Sequence, residues 1–494
     1  GIKCCAEGGR KLADEIEDIK GNKIYTNAFE WRFEFPEVLD DDGNFLGFDV
    51  VIGNPPYYQL QKDEGKLGNE LSKLNYYTYE RTGDIYCIFF EKGIHILAPN
   101  SYLCFITSNK WLNANYGMKL RLYLLNSTNP LNLIDFAGIK VFDSAMVDTS
   151  ILLLSNTEYK IPTSTCIIGK DFNFSNDNME QYIPSQCSKT IFNNSFSWVI
   201  NTEKEMTIKN KLEMNGLSLK HWDVKIFRGV LTGYNEAFII DEIKKNLYNS
   251  IDPKTATIIK PLLKDNMISK YCINFSGKYL INAHNGIKSL NLEPINLEKD
   301  YSVLFDHVNQ VVSNVESGTS KRRGGHKNNN RNFFNRTDKG ITPYNFRDCA
   351  YIDKFEKPKI IWKQTSTEKT FTYDDRGYFL DVSGHFMSSL NDDKECLKFI
   401  LGILNSKVCD FYLRSISTKF GASGTRWIPS FIEQMPIPNI DMFENNLTSL
   451  VDKILAAKKA DPQADTTAEE AEIDRLVYEL YGLTEEEIKI VEGE

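Results

Sequence analysis

The chain has 494 residues, of which 41% are apolar and 25% charged, with a formal net charge of −9. This length supports two or three hydrophobic cores, and the composition excludes a fibrous or wholly disordered protein. No segment approaches the ~20 uncharged residues of a membrane-spanning helix, and the ten cysteines and six histidines fall without disulfide-framework or metal-ligand spacing, so no metal is expected and reduced thiols in the cytoplasm are.

The charge is unevenly placed. Residues 441–494 carry 15 acidic and 5 basic side chains, so one acidic tail sets the sign and the body is close to neutral. Nucleic-acid binding is therefore open, and the most basic stretch, KRRGGHKNNNRNFFNRTDKG (321–340), favours it.

The opening residues, GIKCCAEGGRKLADE, hold no apolar signal-peptide core, and an amphipathic helical pattern runs over Leu12–Ile19. The run Phe48–Ile52 predicts a strand buried on both faces, as in a parallel sheet. A polar loop follows through Thr82. Ile85, Ile88, Phe89, Ile96 and Leu97 have helical spacing, and then come a strand (Tyr102–Thr107), a helix (near Ala114–Asn126) and strands at Leu131–Phe136 and Thr149–Ser155. This alternation predicts an α/β fold with a doubly wound, Rossmann-like sheet over 1–160. Residues 161–205 are polar and read as a connector. From 206 to 440, short strands and helices rich in aromatics predict a separate α+β domain. The tail, 441–494, is helical: Thr467 with Glu470 reads as a capping box, Ile473, Leu476, Val477 and Leu480 form one face, and Gly482 stops the helix before Thr484 and Glu487 start another.

The stretch GFDVVIGNPPYYQL (47–60) carries the most chemistry. Ligands of doubly wound sheets meet the carboxyl ends of the strands, which is where Asn54-Pro55-Pro56-Tyr57 stands. The Asn54 amide and the Pro55 carbonyl can accept from an exocyclic amino group, the prolines hold both acceptors rigid, and Tyr57 offers a face on which a base stacks. Together they suit a flipped adenine whose amino nitrogen attacks an activated methyl group, with no ionisable base needed to begin. Asn and Pro also serve ordinary turns; the strand before them and the α/β alternation after them favour the functional reading.

With these residues in hand, GFDVVIGNPPY, GDIYCIFFEKGIHILAPNSYLCFITSNKWLNANYGMKLRLYLL and LIDFAGIKVFDSAMVDTSILLL resemble the gamma-class N6-adenine DNA methyltransferases. More closely, they resemble the methyltransferase part of type IIG restriction-modification enzymes and of BREX-type phage-defence methylases. RGVLTGYNEAFIID, IIKPLLKDN, RTDKGITPYNFRDCAYIDKFEKPKIIW and ILNSKVCDFYL resemble the Taq-type C-terminal specificity domain, which in that family reads duplex DNA. The resemblance implies that Asn54, Pro55 and Pro56 hold the target adenine, that Tyr57 stacks on it, and that Phe142 is the second stacking aromatic. Phe142 equally suits a core position at a strand end. Asp84 and Tyr86 match a segment near the methionine end of S-adenosylmethionine. Arg322, Arg323, Lys327 and Arg331 are the candidate phosphate contacts, against the plain alternative of a solvated loop. Tyr234, Asn235, Trp362, Arg426 and Trp427 lie near bases or pack the domain, with packing preferred for both tryptophans.

One feature of the family is missing. The chain contains no Gly-x-Gly to admit the methionine end of the cofactor, and in the family that glycine turn follows the strand beside the one bearing Asn54. The expectation is a C-terminal portion of a longer enzyme, with the cofactor-binding part, and any nuclease, in a missing N-terminal part. The alternative is a DNA-binding specificity module without activity of its own.

Overall fold

The computed structural model describes residues 29, 31–136, 139, 141–142, 148–160, 162–169, 172–174, 176–192, 195, 197–316, 333–334, 339–347, 349–416, 425–439 and 444–493. The helical pattern at Leu12–Ile19 and the four candidate phosphate contacts Arg322, Arg323, Lys327 and Arg331 lie outside the described residues. The chain divides into two compact units between Ile200 and Asn201.

The first unit is built on a six-stranded sheet. Its strands are β1 (Phe48–Gly53), β2 (Leu97–Ser108), β3 (Asn129–Asp135), β4 (Thr149–Ser155), β5 (Thr163–Ile167) and β6 (Ser188–Thr190), in the order β1-β2-β4-β3-β5-β6. β1 runs parallel to β2 and β3 parallel to β5, while β4 is antiparallel to both of its neighbours. Two helices, α1 (Tyr86–His95) and α2 (Met118–Ser127), lie in sequence between the strands. Their apolar residues join Leu103 and Phe105 of β2, Leu133 of β3 and Leu152 and Leu154 of β4 in one core. Gly93 lets α1 approach this closely, because a Cβ there would stand 2.5 Å from Leu103 Cδ1. The expected alternation of strand and helix is present, with β2 extended at its start and α2 entered through two short 3-10 turns, Asn109–Leu112 and Asn115–Gly117.

One expectation about this sheet is corrected. β1 is not buried on both faces: among the described strands it pairs only with β2, and Val50 and Ile52 are 58% and 77% exposed. Tyr102, which pairs with Val50 in β2, is 46% exposed on the same face. Val51 alone turns inward onto the core. Among the described residues, the unbroken apolar run thus belongs to an edge strand whose outer face is exposed at Val50 and Ile52 and covered at Phe48 by the rings of Trp31, Phe35 and Phe45. The stretch expected as a connector, 161–205, supplies β5, β6 and the helix Met179–Gln186 between them.

The second unit holds two four-stranded sheets. One orders Phe379–Leu380, Ile259–Leu263, Lys278–Ile281 and Ile239–Asp241; the other orders Thr372–Asp374, Lys359–Lys363, Gly384–Ser389 and Val224–Arg228, all antiparallel. Trp362 and Trp427 are buried in the larger core, as packing residues, and Tyr234 is buried in the other. The acidic tail shares the larger core. Leu447, Val451, Ile473, Leu476, Val477 and Val491 pack there with Ile208 and Leu212 of the unit's first helix, Glu203–Met214. Thr484 and Glu487 form the expected capping box, and Gly482 ends the preceding helix at φ +64°. The box expected at Thr467 is not made: the cap residue is Thr466, and its hydroxyl donates instead to the Glu470 side chain.

If β1 is an open edge in solution, Ile52→Ala lowers stability by less than ~1 kcal/mol, while the fully buried Leu133→Ala lowers it by ~2–5 kcal/mol. Thermal melts of the two variants provide the check; equal losses would mean that β1 is covered.

Candidate active site

The direction of the strands assembles the site. Because β4 runs against both β2 and β3, the latter two point the same way, and β1 points with β2. The loops that leave Gly53, Ser108 and Asp135 therefore start from one edge of the sheet. Asn54 is exposed on that edge, Pro55 is buried, Pro56 is exposed and Tyr57 is half-buried. The Tyr57 ring stands perpendicular to Tyr86, with centroids 6.2 Å apart, and its hydroxyl lies 3.5 Å from the Ile106 carbonyl of β2.

The backbone after the motif is fixed to the start of α1. Leu60 N–H donates to Gly83 O at 2.9 Å and Ile85 N–H to Tyr58 O at 2.9 Å, closing an antiparallel bridge between Gln59 and Asp84. The polar loop between these segments is held from α1 by the buried Glu91. Its carboxylate accepts from Tyr77 N–H at 3.1 Å and Thr78 N–H at 2.8 Å. An ordinary surface loop would not be pinned by a buried carboxylate; this one is held at both ends and in the middle.

Asp84 and Tyr86 are thus brought beside Tyr57, but as buried groups with partners. Asp84 is 7% exposed. Its carboxylate lies 3.4 Å from the Tyr116 hydroxyl, which is 2.7 Å from the Tyr86 hydroxyl. Burial raises the Asp84 pKa above the usual aspartate range, against the hydrogen bond from Tyr116 and the charges of Lys110 and Lys62. Burial also raises both tyrosines, so their hydroxyls stay protonated and can donate at neutral pH.

The loop after β2 is braced from beneath. Arg121 of α2 is fully buried and donates to the carbonyls of Ser195 at 2.8 Å, Ala114 at 3.2 Å and Trp111. Burial pushes its pKa down to about 10, still far above neutral pH. Gly117 makes room for this brace, since a Cβ there would stand 2.2 Å from Trp111 O. Asn109, at the start of the loop, donates from its side chain to Asp135 at 2.9 Å and from its backbone to Asp148 O at 2.9 Å, joining the loops after β2 and β3.

Sequence reasoning passed over several of these residues. Ser150 pairs in register with Thr107 on one side and Asp135 on the other, so three polar side chains form a row across the carboxyl edge. The hydroxyls of Thr107 and Ser150 are buried with no hydrogen-bond partner among the described residues, an unusual state that marks polar sites rather than packing ones. The available signal was the change from apolar to small polar residues at Thr107-Ser108-Asn109. Phe142 follows β3, half-buried in irregular backbone, and its ring stacks on no described aromatic. Neighbouring Val141 packs on a small separate cluster around Phe136, Cys166 and Ile168.

Comparison with known proteins places both halves of the chain. Residues 7–142 match the family model of the Eco57I restriction-modification methylase, and residues 260–437 that of the TaqI-like C-terminal specificity domain. The type II methyltransferase M.BstVI of Geobacillus stearothermophilus is 24% identical over 98% of this chain and 83% of its own length. The type II restriction enzyme and methyltransferase RM.Eco57I of Escherichia coli is 24% identical over 95% of this chain, which spans 47% of that protein. The solved structure of the type IIL restriction-modification enzyme MmeI in complex with DNA shares the fold, with a TM-score of 0.54 at 13% identity over 92% of this chain and 57% of that one.

Raised by burial, the Asp84 pKa makes the native state hold a proton to higher pH than the unfolded chain does. Its neutral form stabilises the fold at low pH, and this contribution is lost as pH rises from about 4, the unfolded aspartate value, through the folded pKa. Asp84→Asn should therefore flatten the fall of the melting temperature over that window. Parallel curves for the two proteins would show that Asp84 is not buried in solution.

Proposed function

From a chain that joins a restriction-modification methylase segment to a TaqI-like specificity domain, we propose site-specific methylation of adenine N6 in duplex DNA, within a restriction or phage-defence system of the cytoplasm. The observation that carries this reading is the position of Asn54-Pro55-Pro56-Tyr57 at the carboxyl end of β1, on the edge from which three loops depart.

In this reading the target adenine leaves the duplex and lies against Tyr57, whose stacking contributes ~1–3 kcal/mol. Its amino group donates to the Asn54 side-chain oxygen and to the Pro55 carbonyl. These two hydrogen bonds fix the nitrogen and draw its lone pair out of conjugation with the ring, which prepares it for attack. Phe142 serves as the second stacking surface. The pairing of Tyr58–Leu60 with Gly83–Ile85 holds the motif in place, so that little ordering remains when the base arrives.

The methyl donor implied by the family is S-adenosylmethionine. The described residues do not by themselves form its cradle: the sequence contains no Gly-x-Gly, and among the described strands β1 pairs only with β2. Asp84, buried and bridged by its backbone to Gln59 just after the motif, is assigned to the cofactor side. We assign the open β1 edge, with Val50 and Ile52, to further strands that complete the cofactor pocket. A second reading rests on that same edge: taken alone, this chain binds DNA without transferring methyl.

The test is nucleoside mass spectrometry on DNA methylated by the complete enzyme. N6-methyladenine is expected, with a loss of at least ~100-fold in Asn54→Ala, where an acceptor in the transition state is removed, and a smaller loss in Tyr57→Ala. Methylated cytosine, or unchanged turnover in both variants, would sink the adenine assignment. Calorimetry of this chain with S-adenosylmethionine separates the two readings, because micromolar binding is incompatible with the second.

A further inference from the structure

The unit that begins at Asn201 contains a concave site that methyl transfer does not use. It lies between the hairpin Ile268–Ile273, the edge strand Thr372–Asp374, the first turn of the helix Lys394–Leu404 and the last turn of the helix Glu444–Ala460. Its volume is about 450 Å³, within the ~300–1,000 Å³ range of small-molecule pockets.

Its chemistry is divided between floor and rim. Ile273 and Leu455, both half-buried, give the floor an apolar surface above Tyr271, which is itself buried in the core. Asp374 is buried beneath the pocket and paired with the buried Lys359, and at the rim Asp452 pairs with Lys398 at 3.0 Å. Arg376, Lys394 and Lys459 remain, with no ion pair among the described residues, against the single carboxylate of Asp375. The surplus at the mouth is positive.

Three further features are not accounted for by folding alone. The Tyr373 hydroxyl is buried with no hydrogen-bond partner among the described residues. Burial pushes its pKa up to about 12, so at neutral pH it is a donor awaiting an acceptor. Lys394 is the first residue of its helix, where the helix dipole disfavours a cation and strengthens attraction for an anion. Tyr271 occupies a two-residue turn at φ +56°, a conformation that costs a bulky side chain ~1–3 kcal/mol and tends to persist at ligand sites.

We propose that this pocket binds a phosphate-bearing ligand of nucleotide size, its ring system on the apolar floor of Ile273 and Leu455 and its phosphate between Arg376, Lys394, Lys459 and the Tyr373 hydroxyl. The phosphate comes either from a free nucleotide or from a DNA backbone. The assignment is independent of the methylation reading, since it uses none of the residues at the β1 edge.

The full chain is titrated with adenosine monophosphate by calorimetry and with a labelled duplex oligonucleotide at several salt concentrations. Wild type is compared with Tyr373→Phe, which removes one oxygen, and with the exposed pair Lys394→Glu/Lys459→Glu. Binding of one probe should weaken ~5-fold in the first variant and at least ~10-fold in the second, with melting temperatures unchanged for Tyr373→Phe. Loss confined to the mononucleotide identifies a free nucleotide. Loss confined to the duplex, with the salt slope reduced by about 2, identifies backbone phosphates. Equal binding of both probes by wild type and Tyr373→Phe, or no binding of either by wild type, overturns the proposal.

Discussion

The direction of one strand governs the first unit. Had β4 run parallel to its neighbours, the chain could not have returned between β2 and β3 without a long crossover, and the loops that now share an edge would not meet there. Inserted antiparallel, β4 leaves β2 and β3 codirectional and brings Thr107, Ser150 and Asp135 into one row. Loop-to-loop bonds then complete what the sheet begins: Asn109 joins the second and third loops, and the bridge from Gln59 to Asp84 secures the first to α1. The Asn-Pro-Pro-Tyr segment is therefore held by backbone on both sides, which fixes its position at the carboxyl edge of the sheet.

The polar interior of this unit is spent on holding loops. Glu91 grips backbone N–H groups of one loop and Arg121 the carbonyls of another. Both are charged groups that burial penalises strongly unless hydrogen bonds answer them. Their partners are main-chain groups with no regular strand or helix to satisfy them, so each charge serves where a ladder of backbone bonds is absent.

Strands and helices of the first unit were legible because their apolar periodicity is strong, and the motif was legible because it follows such a strand. What escaped was anything decided by the neighbours. The run Phe48–Ile52 has the composition of a doubly buried strand, but composition does not say which strands lie beside it, and Ile52 is exposed because none of the described strands does. The strands β5 and β6 were hidden in polar, threonine- and serine-rich sequence, since short strands built of small polar residues lack an apolar signature whether at the edge of the sheet, as β6, or inside it, as β5. Thr467 was taken for a helix cap over Thr466, an ambiguity of adjacent identical residues that only backbone angles resolve. The buried hydroxyls of Thr107 and Ser150 need the register of three strands to become a site, and register is not written in any one segment. In the second unit, residues 260–437 match a known domain model, while its pocket draws on residues spread from Tyr271 to Lys459.

The core shared by the first and last helices of the second unit has a consequence for synthesis. Lys211 pairs with Glu487 at 2.7 Å, Asn215 donates to Tyr481 O at 3.3 Å, and the strand Leu217–Ser218 pairs with Pro436–Ile437. These contacts join parts of the chain separated by more than 200 residues, a closure that is slow in entropic terms. On the ribosome, where the amino-terminal part of a chain emerges first, Ile208 and Leu212 wait uncovered until the segment around Ile473 and Val491 has been released. The core of the second unit is therefore completed only once the segment around Ile473 and Val491 has emerged, long after the loop that carries Asn54-Pro55-Pro56-Tyr57.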